Sequence, residues 1–458
     1  MEDNRDDIDF ATIPVHRLFR KMFLPTLLGM ISMVILNITD GAFVGHGVGS
    51  DALAAVNIAA PIFMITSGIG MMFGIGGSVV ASIHLSHGNV KAARINITQS
   101  LAGAVSVGIV LGSLMVVFQK ETCVLFGSNE ALVPMASHYL RWIAAFQPLS
   151  IIGSVGLFAV RLDGSPKVAM WANVGASAMN IFLDWLLIFP MHKGLEGAAI
   201  ATSVSFAIAG LCVLLYLLRF SKVIRLYRLK LSWKSLSLSW RNLKYQMKLG
   251  SSALLGEIAI SCVLIIGNYR FIKFLGEDGV AAFSVGCYCL PIIFMLGNAI
   301  VQSVQPIISY GYGAGHVTRL RQALRLAVMT AICGGLLSMA ILYFGASVIT
   351  DLFIPRSSQA WQICRDGLPY FSIGSIAVCI NLVIVGYFQS VERPFAATLV
   401  TLLRGIVIML PAFILLPMLL GTPGLWLALP FTELTTLMLI GIFWRRTCNK
   451  LNNFASNK

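Results

Sequence analysis

One stretch of the sequence, WANVGASAMNIFLDWLLIF at 171–189, carries polar side chains at regular spacing in an otherwise apolar segment. Asn173, Ser177, Asn180 and Asp184 lie at offsets of 0, 4, 7 and 11 residues, which places them on one face of a helix. A carboxylate in such a segment is costly in hydrocarbon unless it is partnered, neutralised or wetted. The pattern therefore predicts a helix whose polar stripe faces other helices or a water-filled cavity.

Two other apolar runs contribute similar chemistry. Asn37 and Asp40 are three residues apart and so share a helix face, while Thr202 stands within the apolar stretch AAIATSVS. Two carboxylates with amide and hydroxyl oxygens form a site of hard oxygen donors, which can hold Na⁺ or share a proton. We therefore expect a cation site that contains Asp40 and Asp184.

Three further ionisable residues fall inside apolar runs. Glu257 is either a separate coupling or substrate-binding acid or a structural one, and its sequence context leaves both open. Arg404 needs an anion or a cavity, so it either pairs with Glu433 or lines a vestibule. Glu433 itself is expected to be structural.

The runs that hold these residues are long enough to cross a membrane as helices. The chain has 458 residues, of which 57% are hydrophobic and 11% are charged, whereas soluble domains carry about 25% charged residues. Each run is near the ~20 residues of a spanning helix and exceeds the ~10 of a barrel strand. The predicted spans lie near 22–45, 52–81, 95–118, 133–160, 167–189, 196–218, 249–273, 279–306, 323–347, 367–388, 395–418 and 423–444. The expected fold class is an all-α integral membrane protein with twelve transmembrane helices.

Basic residues predict how these spans are oriented. Most of the 33 lysines and arginines fall in loops on one side of the membrane. Arg161 is counted as a residue of one of these loops. By the positive-inside rule, that side is the cytoplasm. Both termini are predicted on that side. This placement accounts for the net charge of +14 without a nucleic-acid partner, and the acidic start MEDNRDDIDF lacks the basic and then apolar pattern of a cleaved signal. We expect a monomeric, multi-pass protein of the bacterial inner membrane, surrounded by lipid.

A long basic segment divides the chain into two halves of six spans. It predicts five parts, which are a cytoplasmic N-terminal segment at 1–21, a six-helix bundle at 22–218, a basic cytoplasmic linker at 219–248, a second six-helix bundle at 249–444 and a cytoplasmic tail at 445–458.

The halves are related by an internal repeat. Identical residues recur 227 positions apart, as with Asp51 and Asp278. Two pseudo-symmetric bundles of this kind are typical of secondary transporters. The same offset places Gly267 opposite Asp40, so that acid has no counterpart in the second half.

Several stretches resemble the multidrug and toxic compound extrusion (MATE) transporters, over nearly the whole chain from about residue 15 to 447. They are NITDGAFVGHGVGSDALAAVNIAAPI in spans 1 and 2, DGSPKVAMWANVGASAMNIFLDWLLIF across spans 4 and 5, and KGLEGAAIATSVS in span 6. The second half echoes them with VERPFAATLVTLLRGIVIMLPAFILLP and GTPGLWLALP.

The resemblance implies a MATE-type fold and secondary active antiport by alternating access. Amphipathic or cationic organic compounds, such as drugs and dyes, are exported in exchange for Na⁺ or H⁺, and no cofactor is needed. The implied cation-coupling residues are Asp40, Asn180, Asp184 and Thr202, of which Asp40, Asn180 and Asp184 are the candidate Na⁺ ligands, with Asn37, Asn173 and Ser177 as a supporting polar stripe.

Some family members place an acid in span 10, where this chain has Asn381. Glu257 does stand in span 7, where those members carry another acid. Glu257, Asn381 and Arg404 are therefore candidate second-bundle coupling or substrate residues, but we expect the coupling site in the first bundle.

Other functions have weaker support. A lipid-linked oligosaccharide flippase of the same superfamily is the main alternative, and it would favour a cationic cavity. A membrane-embedded enzyme would need a nucleophile beside a base, and the internal repeat favours transport instead. A channel fits poorly with the implied drug-binding cavity, and the lack of a Walker motif argues against direct use of ATP.

Overall fold

The protein, as a computed structural model, is described over residues 8–126, 128, 130, 132–229 and 232–456. Residues 1–7 of the predicted N-terminal segment, 230 and 231 of the linker, and 457 and 458 of the tail lie outside the described residues. The α-helices are α1 Val15–Gly47, α2 Ser50–Ser86, α3 Val90–Val117, α4 Gln119–Leu125, α5 Val133–Leu162, α6 Pro166–Ile188, α7 Gly194–Leu215, α8 Trp233–Gly313, α9 Val317–Phe344, α10 Ala346–Phe353, α11 Gln359–Ser372, α12 Ser375–Ser390, α13 Pro394–Leu402, α14 Met409–Leu420 and α15 Thr422–Ser456. Short π-helical turns follow α7 at Tyr216–Phe220 and α13 at Leu403–Val407.

The described helices confirm the predicted twelve spans. Helix α8 is 81 residues long with a non-helical Gly276 inside it, so at 1.5 Å per residue it contains two spans. Helices α11 and α12 are bent by 46° relative to each other and form one broken span. Helices α13 and α14, with the π turn between them, form the single span Pro394–Leu420. Helix α6 is long enough at 23 residues, although its polar stripe lowers its hydropathy. The fold is an all-helical membrane protein.

Helix α1 has the length and the apolar outer face of a membrane-spanning helix. It has 33 residues, about 50 Å at the helical rise, which exceeds the roughly 30 Å hydrocarbon core. Leu24, Leu28, Ile35 and Ile38 are each about half exposed. Such an apolar outer face is stable only where acyl chains cover it.

The chain forms two compact units. Unit 1 contains Met1–Ile258, Gln302–Leu324 and Tyr387–Pro394, and unit 2 contains Ala259–Val301, Arg325–Gly386 and Phe395–Lys458. These units are defined by contacts, whereas the five predicted parts follow the chain, so the predicted bounds stay a prediction.

Within unit 1, small residues allow helices to approach closely. A Cβ added at Gly210 of α7 would lie 2.1 Å from the backbone oxygen of Leu149 in α5. Only glycine fits at such a contact, and close packing of this kind is a main source of stability between membrane helices. It fixes α7, which carries Thr202, against α5.

Asp163, at the end of α5, anchors the segment that leads into the linker. Its carboxylate accepts hydrogen bonds from the hydroxyls of Tyr216 and Ser221, both at 2.7 Å. It also accepts from the backbone N–H groups of Val223 and Ile224 at 2.8 and 2.6 Å. One acid therefore fixes the course of the chain after α7.

Unit 2 is organised around stacked aromatic rings. Phe271 lies 4.4 Å from Phe283 and 5.1 Å from Trp426, measured between ring centroids. Arg270 in the same region is buried and donates to the backbone oxygens of Phe413 and Ile414. These contacts join the part of α8 that precedes Gly276 to α14 and α15, and also to the part of α8 that follows it.

Candidate functional site

Asp40 of α1 and Asp184 of α6 lie together inside unit 1. Asp184 is fully buried and Asp40 is partly buried. Their carboxyl groups lie within hydrogen-bonding reach of each other. The structure thus brings together the two acids that the sequence places in separate spans.

Asn180 connects this acidic pair to α7. It lies one helical turn before Asp184 and is fully buried. With its amide oriented by the hydrogen-bond network, Nδ2 donates to Asp184 Oδ2 at 3.0 Å and Oδ1 accepts from Thr202 Oγ1 at 3.2 Å. The four predicted coupling residues therefore form one connected group.

Each acid retains one buried oxygen that is not satisfied by the protein. Among the described residues, Asp40 Oδ1 and Asp184 Oδ1 have no hydrogen-bond partner. In the part of the chain that the structure describes, no basic side chain interacts electrostatically with either carboxyl group. Two ionised carboxylates repel each other strongly when they are removed from water. The group therefore fits a small hard cation or a shared proton.

Tyr139 of α5 is a further residue of this site, and the sequence analysis missed it. Its side chain is 5% exposed and close enough to interact electrostatically with both Asp40 and Asp184. A single tyrosine in an apolar run has no periodic pattern that would mark it. Its position follows only from the three-dimensional fold, in which α5 packs mainly against α2, α3 and α7.

The rest of the predicted polar stripe divides into two groups. Ser177 is buried and its hydroxyl donates to Ser32 of α1 at 3.4 Å, and Asn173 packs beside Gly29 of α1. Both therefore lie between α1 and α6, whereas the sequence predicted only that the stripe faces other helices or a cavity. Asn37 is exposed, so it lies outside the hydrogen-bonded group.

A small cavity continues from this stripe between α1, α5, α6 and α7. Its volume is about 70 Å³, and its polar lining comes from Ser150, Ser154 and Asn173. A buried water needs roughly 10–15 Å³ on this measure and two to four polar partners. The cavity can therefore hold water within the first bundle, near the start of α6.

The candidate second-bundle residues do not form a matching group. Asn381 and Arg404 both contact Glu433 in unit 2, where Arg404 Nη2 lies 2.6 Å from Glu433 Oε1 and Asn381 Nδ2 donates to Oε2 at 2.7 Å. Glu257 belongs to unit 1, where it packs beside Gly68 of α2. The sequence expectation that Arg404 pairs with Glu433 agrees with these contacts.

The sequence analysis placed Arg161 in a loop, and the structure places it in a helix. It belongs to the last turn of α5 and is 3% exposed. Its guanidinium lies over the ring of Phe158 at 5.6 Å. A basic residue close to the end of a span reads as a loop residue from hydropathy, but here the helix continues through it.

Twelve spans built from two similar halves, with a buried acidic pair in the first, define a secondary transporter. The MatE family model matches residues 25–186 and again 253–414, once in each half. The chain therefore belongs to the MatE family, the MATE transporters that its sequence resembles.

Curated relatives extend over nearly the whole chain. An "FAD transporter" of Shewanella oneidensis is 26% identical, and the match covers 94% of this chain and 94% of the relative. The "Multidrug export protein MepA" of Staphylococcus aureus is 22% identical over 93% of this chain and 92% of its own length. Both relatives are transporters, but their named cargoes differ.

Solved structures show the same fold. One is an outward-facing conformation of a multidrug resistance MATE family transporter of the MOP superfamily, with a TM-score of 0.88 and 21% identity over 97% of this chain and 98% of that one. Another is a MOP superfamily transporter from Pyrococcus furiosus, described by a reversed polarity of its binding pocket, with a TM-score of 0.87 and 21% identity over 96% of each chain.

Proposed function

We propose that this transporter exports amphipathic or cationic organic compounds in exchange for Na⁺ or H⁺. The coupling ion binds to Asp40 and Asp184, with Asn180 and Thr202 in support. The observation that carries this proposal is the buried acidic pair, whose two Oδ1 atoms have no partner among the described residues.

The geometry suggests how ion binding affects the helices. Asp40 and Asp184 repel each other when both are ionised, and a bound Na⁺ or proton removes that repulsion. The ion therefore favours the state in which α1 and α6 approach closely. A ligand can shift a conformational equilibrium only by binding one state better than another, and here the difference comes from the distance between two carboxylates.

The substrate class follows from charge. A cationic compound and the coupling ion both compensate negative charge in the first bundle, so occupancy by one disfavours the other. The flippase alternative needs free intramembrane cations to bind anionic head groups. Arg404, which that alternative would use, is neutralised by Glu433 at 2.6 Å, and this favours a cationic cargo.

Efflux from proteoliposomes tests the proposal. A fluorescent cationic dye is loaded, and either a Na⁺ or a pH gradient is imposed. We expect one gradient to drive efflux in the native protein and neither to do so in Asp40→Asn or Asp184→Asn. FAD serves as a second cargo because one relative is an FAD transporter. Failure of both gradients in the native protein, or full coupled efflux by Asp40→Asn, would contradict antiport at this site.

The remaining topological assignments belong to the same proposal. We propose that the protein is monomeric and that both termini and the 219–248 linker lie on the cytoplasmic side of the membrane, because the basic loops lie on that side. Labelling a cysteine placed in the tail with a membrane-impermeant reagent tests the orientation. Labelling in intact cells would contradict it.

A further inference from the structure

The first part of α8, residues 233–248, which we call the linker helix, exposes large apolar side chains. Trp233, Leu236 and Trp240 are 88%, 49% and 59% exposed. Their spacing of three and seven residues places them on one stripe of the helix. In water, this outer face would be unfavourable.

The inner face of the linker helix carries polar contacts beside Leu243 and Met247, which pack against the core. Gln99 of α3 donates to Ser239 Oγ at 2.8 Å and accepts from Asn242 Nδ2 at 3.2 Å. Gln246 is fully buried and donates to Asn96 Oδ1 at 3.0 Å. A helix at a water-exposed protein surface normally turns its apolar stripe inward, whereas the stripe of Trp233, Leu236 and Trp240 faces outward.

Basic side chains run beside the apolar stripe. Lys234, Arg241 and Lys248 recur every seven residues and are exposed, and Lys244 lies with its Nζ 5.5 Å from the centroid of the Trp240 ring. Within the described chain, none of these four cations has a carboxylate partner. The outer face therefore combines aromatic rings with uncompensated positive charge.

The contacts with α3 give the depth of the linker helix. Leu243 packs against Gly103, where an added Cβ would lie 2.7 Å from its side chain. At 1.5 Å per residue, Gly103 lies about 20 Å along α3 from its start at Val90, and Asn96 lies about 9 Å along it. The linker helix thus lies beside the membrane-spanning part of α3 and not beyond its end.

We propose that the outer face of the linker helix binds anionic phospholipids. Tryptophan rings prefer the boundary between head groups and acyl chains, and basic side chains near them attract anionic head groups. The charge of the face selects this occupant, because a neutral lipid would leave four cations uncompensated. This inference does not depend on the coupling ion or on the cargo.

Tryptophan quenching in nanodiscs tests the proposal with the full-length protein. The probes are acyl-brominated phosphatidylglycerol and acyl-brominated phosphatidylcholine, at equal mole fraction in a phosphatidylcholine bilayer. The chain has 8 tryptophans, so the W233F/W240F variant isolates the linker-helix signal by difference. Because each cation near an anionic surface contributes about fivefold, we expect a preference for phosphatidylglycerol of at least about fivefold, which falls at high salt.

Charge variants decide whether the linker helix is responsible. We expect K234Q/R241Q/K244Q/K248Q to reduce the preference to about one, whereas K120Q/K193Q, which removes two exposed cations elsewhere, leaves it unchanged. A native preference of about one, a preference that does not respond to salt, or a quadruple variant with the native preference would each overturn the proposal. If the quadruple variant is not folded, the phosphatidylglycerol preference of R241Q is measured over the same salt series. A reduced preference supports the proposal, and the native preference overturns it.

Discussion

Arg404→Met should strongly destabilise the protein because it leaves a buried acid without its main partner. Arg404 is 7% exposed and Glu433 is 1% exposed. Two nitrogens of Arg404 donate to Glu433 Oε1, at 2.6 and 3.0 Å, and Asn381 donates to Oε2 at 2.7 Å. The substitution removes two of these three hydrogen bonds and the only described countercharge of this carboxylate.

The size of the effect follows from burial. Removing one partner of a buried ion pair costs about 3–5 kcal/mol, whereas replacing both partners with apolar residues is often neutral. We therefore expect Arg404→Met to lower the free energy of unfolding by about 3–5 kcal/mol, and Arg404→Met with Glu433→Leu to restore more than half of the loss.

Denaturant titration in detergent micelles, followed by circular dichroism, measures these differences. Arg356→Met is the matched control, since Arg356 also lies 2.6 Å from its acid, Asp351, but is 75% exposed. Hydrogen bonds from Arg356 and Trp361 lower the pKa of Asp351 to about 2, so this pair is ionised at neutral pH, as a fair control requires. The contribution of the Arg356–Asp351 pair to stability is present above the ordinary pKa of an aspartate, and it is lost only as the pH falls through about 2.

We expect the control variant to unfold like the native protein, because exposed ion pairs contribute little. The reasoning fails if Arg404→Met unfolds within about 1 kcal/mol of the native protein. It also fails if the losses of the two single variants, Arg404→Met and Glu433→Leu, simply add in the double variant.

Three further predictions concern unit 1. Gly250→Ala should reduce thermal stability, because its Cβ would lie 1.9 Å from the backbone oxygen of Met72. Gly256→Ala, whose Cβ would have nothing within 4 Å, should leave thermal stability unchanged. Equal melting temperatures for the two variants would contradict this reasoning. Asp163→Asn should cost about 2–3 kcal/mol in denaturant titration, because hydrogen bonds to a charged acceptor weaken, and a native unfolding curve would argue against the anchoring role. Asn180→Ala should shift the ion concentration for half-maximal dye efflux about tenfold. The concentration rises if the ion is Na⁺, because a candidate ligand is lost, and it falls if the ion is H⁺, because the lost hydrogen bond no longer stabilises the ionised carboxylate of Asp184. An unchanged ion dependence would exclude Asn180 from the site.

The helices could be predicted because hydropathy and periodicity are local properties of the sequence. The stripe of Ser177, Asn180 and Asp184 lies on one helix, so its spacing was visible before any fold was known. The break at Gly276 inside α8 falls between two predicted spans. The sequence therefore contained the number of spans and one side of the candidate site.

Other features depend on packing between distant segments. Tyr139 comes near the acidic pair only through the packing of the whole bundle, and no spacing in α5 marks it. Arg161 is buried although its neighbours in sequence resemble a loop. Polar residues of the linker helix lie on its inner side because Gln99 and Asn96 of α3 provide hydrogen-bond partners, and composition alone would place those residues in water.

The central claim is that cargo and coupling ion exchange at Asp40 and Asp184, and ion displacement tests it most directly. A cationic dye is added to purified protein in weakly buffered detergent solution, and released protons or sodium ions are counted per dye bound. We predict that the native protein releases its coupling ion on dye binding, and that Asp40→Asn and Asp184→Asn bind dye without releasing an ion. Dye binding by the native protein without release of either ion, or undiminished release by both variants, would contradict the claim.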